Sequence, residues 1–69
     1  MKALVKRTDS FGEVIYFPVI DPIEESCFDQ VDELNSHAYE CETGNSFMLI
    51  AFNNNGKWIS IFDNKEINL

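Results

Sequence analysis

From Thr8 through Gly56 the sequence contains no lysine and no arginine, although ten of its twelve carboxylates fall there. The five basic residues, Lys2, Lys6, Arg7, Lys57 and Lys65, all stand outside that stretch. Nucleic acids and anionic lipids are bound through clusters of Lys and Arg that displace counterions, so a chain with net charge −7 is expected to bind neither. Long apolar runs are missing too. No stretch approaches the ~18 apolar residues of a membrane span, and no apolar run follows a basic start, so a cytoplasmic protein without membrane contact is expected. Cysteine is scarce, and Cys27 and Cys41 are expected as free thiols rather than a disulfide. With His37 they make a Cys-x9-His-x3-Cys spacing that fits no compact ligand set and lacks a fourth ligand, so no metal site is expected. The single histidine has no convincing nucleophile to serve, and no glycine-rich phosphate loop exists. An enzyme is not expected, nor a cofactor.

What the chain does contain is enough apolar material to fold. Hydrophobic residues make up 45% of the sequence, with Phe 6, Tyr 2 and Trp 1, which no acidic disordered tail would carry. One domain is expected, of α+β class: an antiparallel sheet of five to six strands with one acidic amphipathic helix packed on one face. Residues Ala3 to Thr8 and Gly12 to Val19 read as a hairpin around the turn chemistry of Asp9-Ser10-Phe11-Gly12, spanning 1–20. Pro18 cannot donate to a ladder, which puts the second strand at an edge.

Asp21-Pro22 reads as a helix start, with Asp as cap, Pro at the first position and Glu24 and Glu25 in the first turn. Ile23, Cys27, Val31 and Leu34 recur as one apolar stripe with Phe28 at its margin, giving a helix over 21–35 that ends near Asn35-Ser36. From there the period changes to two. Tyr39, Cys41 and Thr43 alternate with Ala38, Glu40 and Glu42, which suggests a strand. Ser46 to Phe52 is apolar on both faces, with Phe47, Leu49 and Ala51 on one side and Met48, Ile50 and Phe52 on the other, so it should be central. Asn55-Gly56 signals a type I′ hairpin into Trp58 to Asp63, and Asn64-Lys65 turns into a last strand ending at Leu69. The order is ββ-α-ββββ, with 37–69 as a meander.

The helix carboxylates divide by position. Glu24 and Glu25 gain roughly 0.3–1 kcal/mol at the positive end of the helix dipole. Asp32 and Glu33 would sit near the negative end with Asp29 as a like-charged neighbour, each such pair costing about 0.2–0.5 kcal/mol. Adjacent pairs such as Glu24-Glu25 point about 100° apart and make poor catalytic dyads. A solvated acidic face is the ordinary account; carboxylates kept against local preference suggest a positively charged partner. If the helix covers the sheet incompletely, Val31, Leu34, Met48 and Ile50 would line an apolar groove beside the acids.

His37-Ala38-Tyr39-Glu40, Thr43, the strand with Met48-Leu49-Ile50, Trp58 followed by alternating aliphatics, and the closing Asn64-Lys65-Glu66-Ile67-Asn68-Leu69 come in an order that resembles the phage uracil-DNA glycosylase inhibitor family. The helix Asp29-Gln30-Val31-Asp32-Glu33-Leu34 resembles that family's acidic helix. The resemblance covers roughly Glu25 to the end. It implies a DNA-mimicking inhibitor in the cytoplasm of a host cell, bound one-to-one in the DNA-binding groove of uracil-DNA glycosylase, with carboxylates in place of phosphates. An apolar pocket would take the side chain that the enzyme inserts into the duplex. Carried over by position, Asp29, Gln30, Asp32 and Glu33 would fall on the acidic helix and Val31, Leu34, Met48 and Ile50 on the pocket; Glu24 and Glu25 join them as candidate partner-binding residues. The alternative is an acidic immunity protein, or an inhibitor of another nuclease or DNA-binding defence protein. A third reading is a small interaction module whose acidity serves solubility alone.

Overall fold

The computed structural model describes residues 1–68. Two strands, β1 (Lys2–Thr8) and β2 (Val14–Ile20), precede one helix, α1 (Glu24–Glu40), which is followed by β3 (Ser46–Asn54) and β4 (Lys57–Ser60). The four strands form one antiparallel sheet in the order β2-β1-β3-β4. The α+β class, the first hairpin, the central position of the Ser46–Phe52 segment and the edge position of the Pro18 strand agree with expectation. The strand count does not, being four rather than five to six. Instead of a meander across 37–69, β3 returns to pair with β1. The segment after β4 contributes a single bridge between Ile59 and Glu66 rather than a strand, and Leu69 lies outside the described residues.

α1 is displaced from its expected 21–35. Pro22 precedes it instead of opening it, and the N-cap is Ile23, whose N–H donates to the Asp21 carboxylate at 3.1 Å. At the other end the apolar stripe continues from Leu34 to Ala38, which is buried, and carries the helix on to Glu40. The segment with period two is therefore helix and turn, not strand. A Schellman closure stops it: the Glu42 N–H donates to the Tyr39 carbonyl at 3.2 Å and the Thr43 N–H to the Ala38 carbonyl at 3.1 Å. Glu42 holds the left-handed position at φ 53, where glycine is usual. Asn35, which reads as a stop signal, is a helix-interior clamp. Its amide donates to the Phe47 carbonyl at 2.9 Å and accepts from the Phe47 N–H at 2.8 Å. β4 pairs only with Ala51 to Asn54, so Asn35 serves backbone that β4 does not reach.

The core lies between α1 and one face of the sheet: Ala3, Val5, Val19, Cys27, Val31 and Leu49, with Phe17, Phe47 and Phe52 packed against it. Phe17 meets Phe47 edge-on at 6.1 Å, and Phe28 of the helix meets Phe52 at 5.9 Å. The expected alternation of β3 fails midway because its pairing with β1 shifts between Leu4 and Val5, whose partners are Ala51 and Leu49. Ile50 is the extra residue of a bulge, and it resets the faces. Phe47, Leu49 and Phe52 consequently share the helix side, while Ala51 pairs with Leu4 on the other. Gly44 closes the route from α1 to β3 against the first hairpin; a Cβ there would stand 2.7 Å from the Ser10 Cβ, at a φ of +76. Asn55 and Gly56 both have positive φ, as the expected I′ turn requires.

Candidate functional site: an acidic ridge on the helix

Cys27, Val31 and Ala38 define the buried side of α1. At about 100° per residue, Asp29 falls directly opposite, and Glu25, Asp32, Glu33 and Glu40 fall within about 60° of it. All five are exposed. They form one ridge about 22 Å long by helix rise, with steps of about 6, 4.5, 1.5 and 10.5 Å along the axis, so that four carboxylates cluster between Glu25 and Glu33 and Glu40 stands apart. A single DNA strand offers a phosphate about every 3.4 Å of axis, a density that the Glu25-to-Glu33 part of the ridge approaches, with four carboxylates over about 12 Å. Asp9, Asp21 and Asp63, which lie outside the helix, accept hydrogen bonds from backbone amides, and Asp21 accepts one more from a side chain of the helix. The ridge carboxylates point to solvent.

Glu24 is exposed but projects toward the Phe28 side, away from the ridge. Gln30 also leaves it: its amide donates to the Ile20 carbonyl at 3.2 Å and to Asp21 at 3.1 Å, tying the helix to the end of β2. Glu40 joins the ridge although its sequence context suggested a strand; the Leu34-to-Ala38 spacing was the signal that could have placed it. Because α1 runs on to Glu40, Asp32 and Glu33 lie in mid-helix, so the expected opposition from the dipole does not apply to them. The repulsion from Asp29 remains, and the dipole opposes Glu40 instead.

The expected groove of Val31, Leu34, Met48 and Ile50 does not exist. Val31 is sealed in the core, and Ile50 is the bulge residue whose carbonyl accepts the Ile61 N–H at 3.0 Å. Met48 pairs with Lys6 on the far side of the sheet, 54% exposed, separated from Leu34 by the sheet itself. An apolar recess occurs elsewhere. A cleft of about 430 Å³ opens between α1 and β2, lined by Phe17, Val19, Gln30, Glu33, Leu34 and His37. The helix leans over β3 and leaves the helix side of β2 partly bare.

The far face of the sheet has a different character. Tyr16, Lys6 and Met48 form one row across it, and the Lys2 ammonium sits over the Trp58 ring at 5.9 Å. Lys2 and Lys6 thus lie behind the sheet and the helix carboxylates before it, while Arg7, opposite Phe47, is on the helix side. The thiols are free, Cys27 in the core and Cys41 at the surface, with the Cys41 Sγ 3.6 Å from His37 Nε2. Burial pushes the Cys27 thiol above its ordinary range, and the charge of Asp21 adds to that. Among the described residues no group of His, Cys, Asp or Glu is arranged to hold a metal, and no helix is long and apolar enough to cross a membrane. Comparison with protein-family models, curated proteins and solved structures finds no match.

Proposed function

We propose that this chain is an acidic binding protein that lays α1 into a basic, duplex-gripping groove of a protein partner, its carboxylates standing where phosphates would. The observation that carries this is the ridge of Glu25, Asp29, Asp32, Glu33 and Glu40, a single-signed row, dense from Glu25 to Glu33, on a helix whose opposite side is committed to the core. Such a row steers encounter with a positive groove and suppresses nucleic acid as a competitor for the same face. The particular partner proposed, from the resemblance in sequence, is uracil-DNA glycosylase, inhibited one-to-one without a cofactor. With Val31 buried and Met48 behind the sheet, the reading rests on the ridge and not on a pocket made of those residues.

The test is uracil excision from a duplex by the glycosylase with micromolar protein added. Inhibition that disappears in the folded triple variant Asp29→Lys, Asp32→Lys, Glu33→Lys supports the proposal. Full excision in the presence of the natural chain rejects the glycosylase as target. Capture of a different DNA-gripping protein through the same carboxylates would then favour an immunity or anti-defence role for the same ridge.

A further inference from the structure

β2 is a free edge of the sheet, and the pairing determines which of its backbone groups are spare. The Asp9 N–H donates to the Glu13 carbonyl at 3.0 Å and the Asp21 N–H to the Met1 carbonyl at 2.9 Å, one at each end of an unbroken register. Antiparallel ladders alternate, so the odd-numbered residues of β2 bond to β1 and the even-numbered ones direct N–H and C=O off the sheet. The Ile20 carbonyl confirms it by accepting from the Gln30 amide. Val14 and Tyr16 therefore offer both groups outward and Pro18 its carbonyl. Pro18 costs the sheet nothing, since its nitrogen faces away from β1.

The cleft between β2 and α1 runs alongside this edge. Side chains of any strand added to β2 would alternate, and every second one would fall on the helix side, above Phe17, Val19 and Leu34. Glu33 stands on the cleft's rim, Asp29 lies one turn before it, and Glu13 and Asp21 flank β2 at its two ends. We propose that β2 and this cleft bind an extended peptide segment of a partner protein by strand addition, an aliphatic side chain entering the cleft and a lysine or arginine meeting Glu33. Charge selects this occupant over a second copy of the chain. The copy's β2 is uncharged and flanked by the same Glu13 and Asp21, so self-pairing would bring like charges together and leave Glu33 unmet. The site does not rest on the groove-binding role of the ridge.

The probes are a synthetic nine-residue peptide with valine and lysine by turns at its odd positions and threonine at its even ones, so that valine and lysine share the helix side, and its counterpart with glutamate for lysine. They are titrated into the isotope-labelled full chain, with amide hydrogen exchange as the readout. The lysine peptide is expected to slow exchange of the Val14 and Tyr16 amides and to shift Leu34 resonances, while the glutamate peptide does neither. Tyr16→Pro removes an outward N–H without touching the internal ladder and should weaken binding about tenfold. Glu33→Lys, a surface change that leaves the edge intact, should reverse the preference between the two peptides. Three results overturn the proposal: peptide contact confined to Asp29 and Asp32 with the β2 amides unprotected, no reversal by Glu33→Lys, or protection of the same amides by concentrated protein alone, which would make the edge a contact between copies.

Discussion

At the scale of single residues, the sharpest local conflict is at the end of α1. Glu42 occupies a left-handed position that favours glycine, and it adds a negative charge where the helix dipole is already negative. Glu42→Gly should therefore stabilise the fold by about 0.5–1 kcal/mol, read as a raised midpoint in urea. Two residues on, the same logic reverses. Gly44→Ala combines a positive φ with a Cβ 2.7 Å from that of Ser10, so it should lower stability by more than about 1 kcal/mol, and Ser10→Gly should recover only the steric part. The thiols differ in the same local way. A disulfide-exchange reagent should label Cys41 in the native protein and Cys27 only on unfolding. Because burial raises the Cys27 pKa, the unfolded chain loses that proton first as pH rises. Stability contributed by the neutral thiol is whole below the ordinary value of 9.0 and declines above it, which Cys27→Ser would not show in a comparison of unfolding at neutral and alkaline pH.

At the scale of elements, the contact between α1 and β3 depends on one side chain. Asn35 supplies Phe47 with both hydrogen bonds of a strand partner, and truncation would leave partly buried backbone groups unpaired. Asn35→Ala should cost about 1–3 kcal/mol, whereas Ser36→Ala, one residue on and exposed, should be near neutral by the same chemical denaturation. This residue also marks where the sequence misleads. Asn-Ser after an apolar stripe reads as a helix terminus, and Tyr39 to Thr43 alternates as a strand would, because neither signal records that Ala38 meets the core or that Asn35 has a partner twelve residues on. The hairpins were legible, since Asn55-Gly56 and Asp9 to Gly12 decide their turns through local backbone preference alone. The bulge at Ile50 was not, for it follows from the register between β1 and β3, which brings Phe52 to the side where Phe28 meets it.

At the scale of the whole molecule, charge is segregated: α1 carries the acids outward, and Lys2 and Lys6 lie on the opposite face of the sheet. A molecule so polarised approaches a positive partner helix first. Its association rate with a basic groove should fall steeply between low and physiological salt while its dissociation rate changes little, a separation that stopped-flow mixing measures. Replacing Asp32 and Glu33 by lysine should relieve repulsion with Asp29, leaving the fold as stable or more so. Loss of partner binding in that variant would distinguish a recognition surface from acidity that serves solubility alone.

The amino-acid sequence by itself determined the fold class, the edge position of β2 and the one acidic helix, because turn chemistry, apolar period and charge are written locally. Only the tertiary structure decided where α1 ends, which carboxylates share a ridge, and that the apolar recess is lined by Phe17, Val19 and Leu34 and not by Met48. Those outcomes follow from which strand pairs with which, and in what register. Such pairings join residues far apart in the chain, where no local pattern reaches.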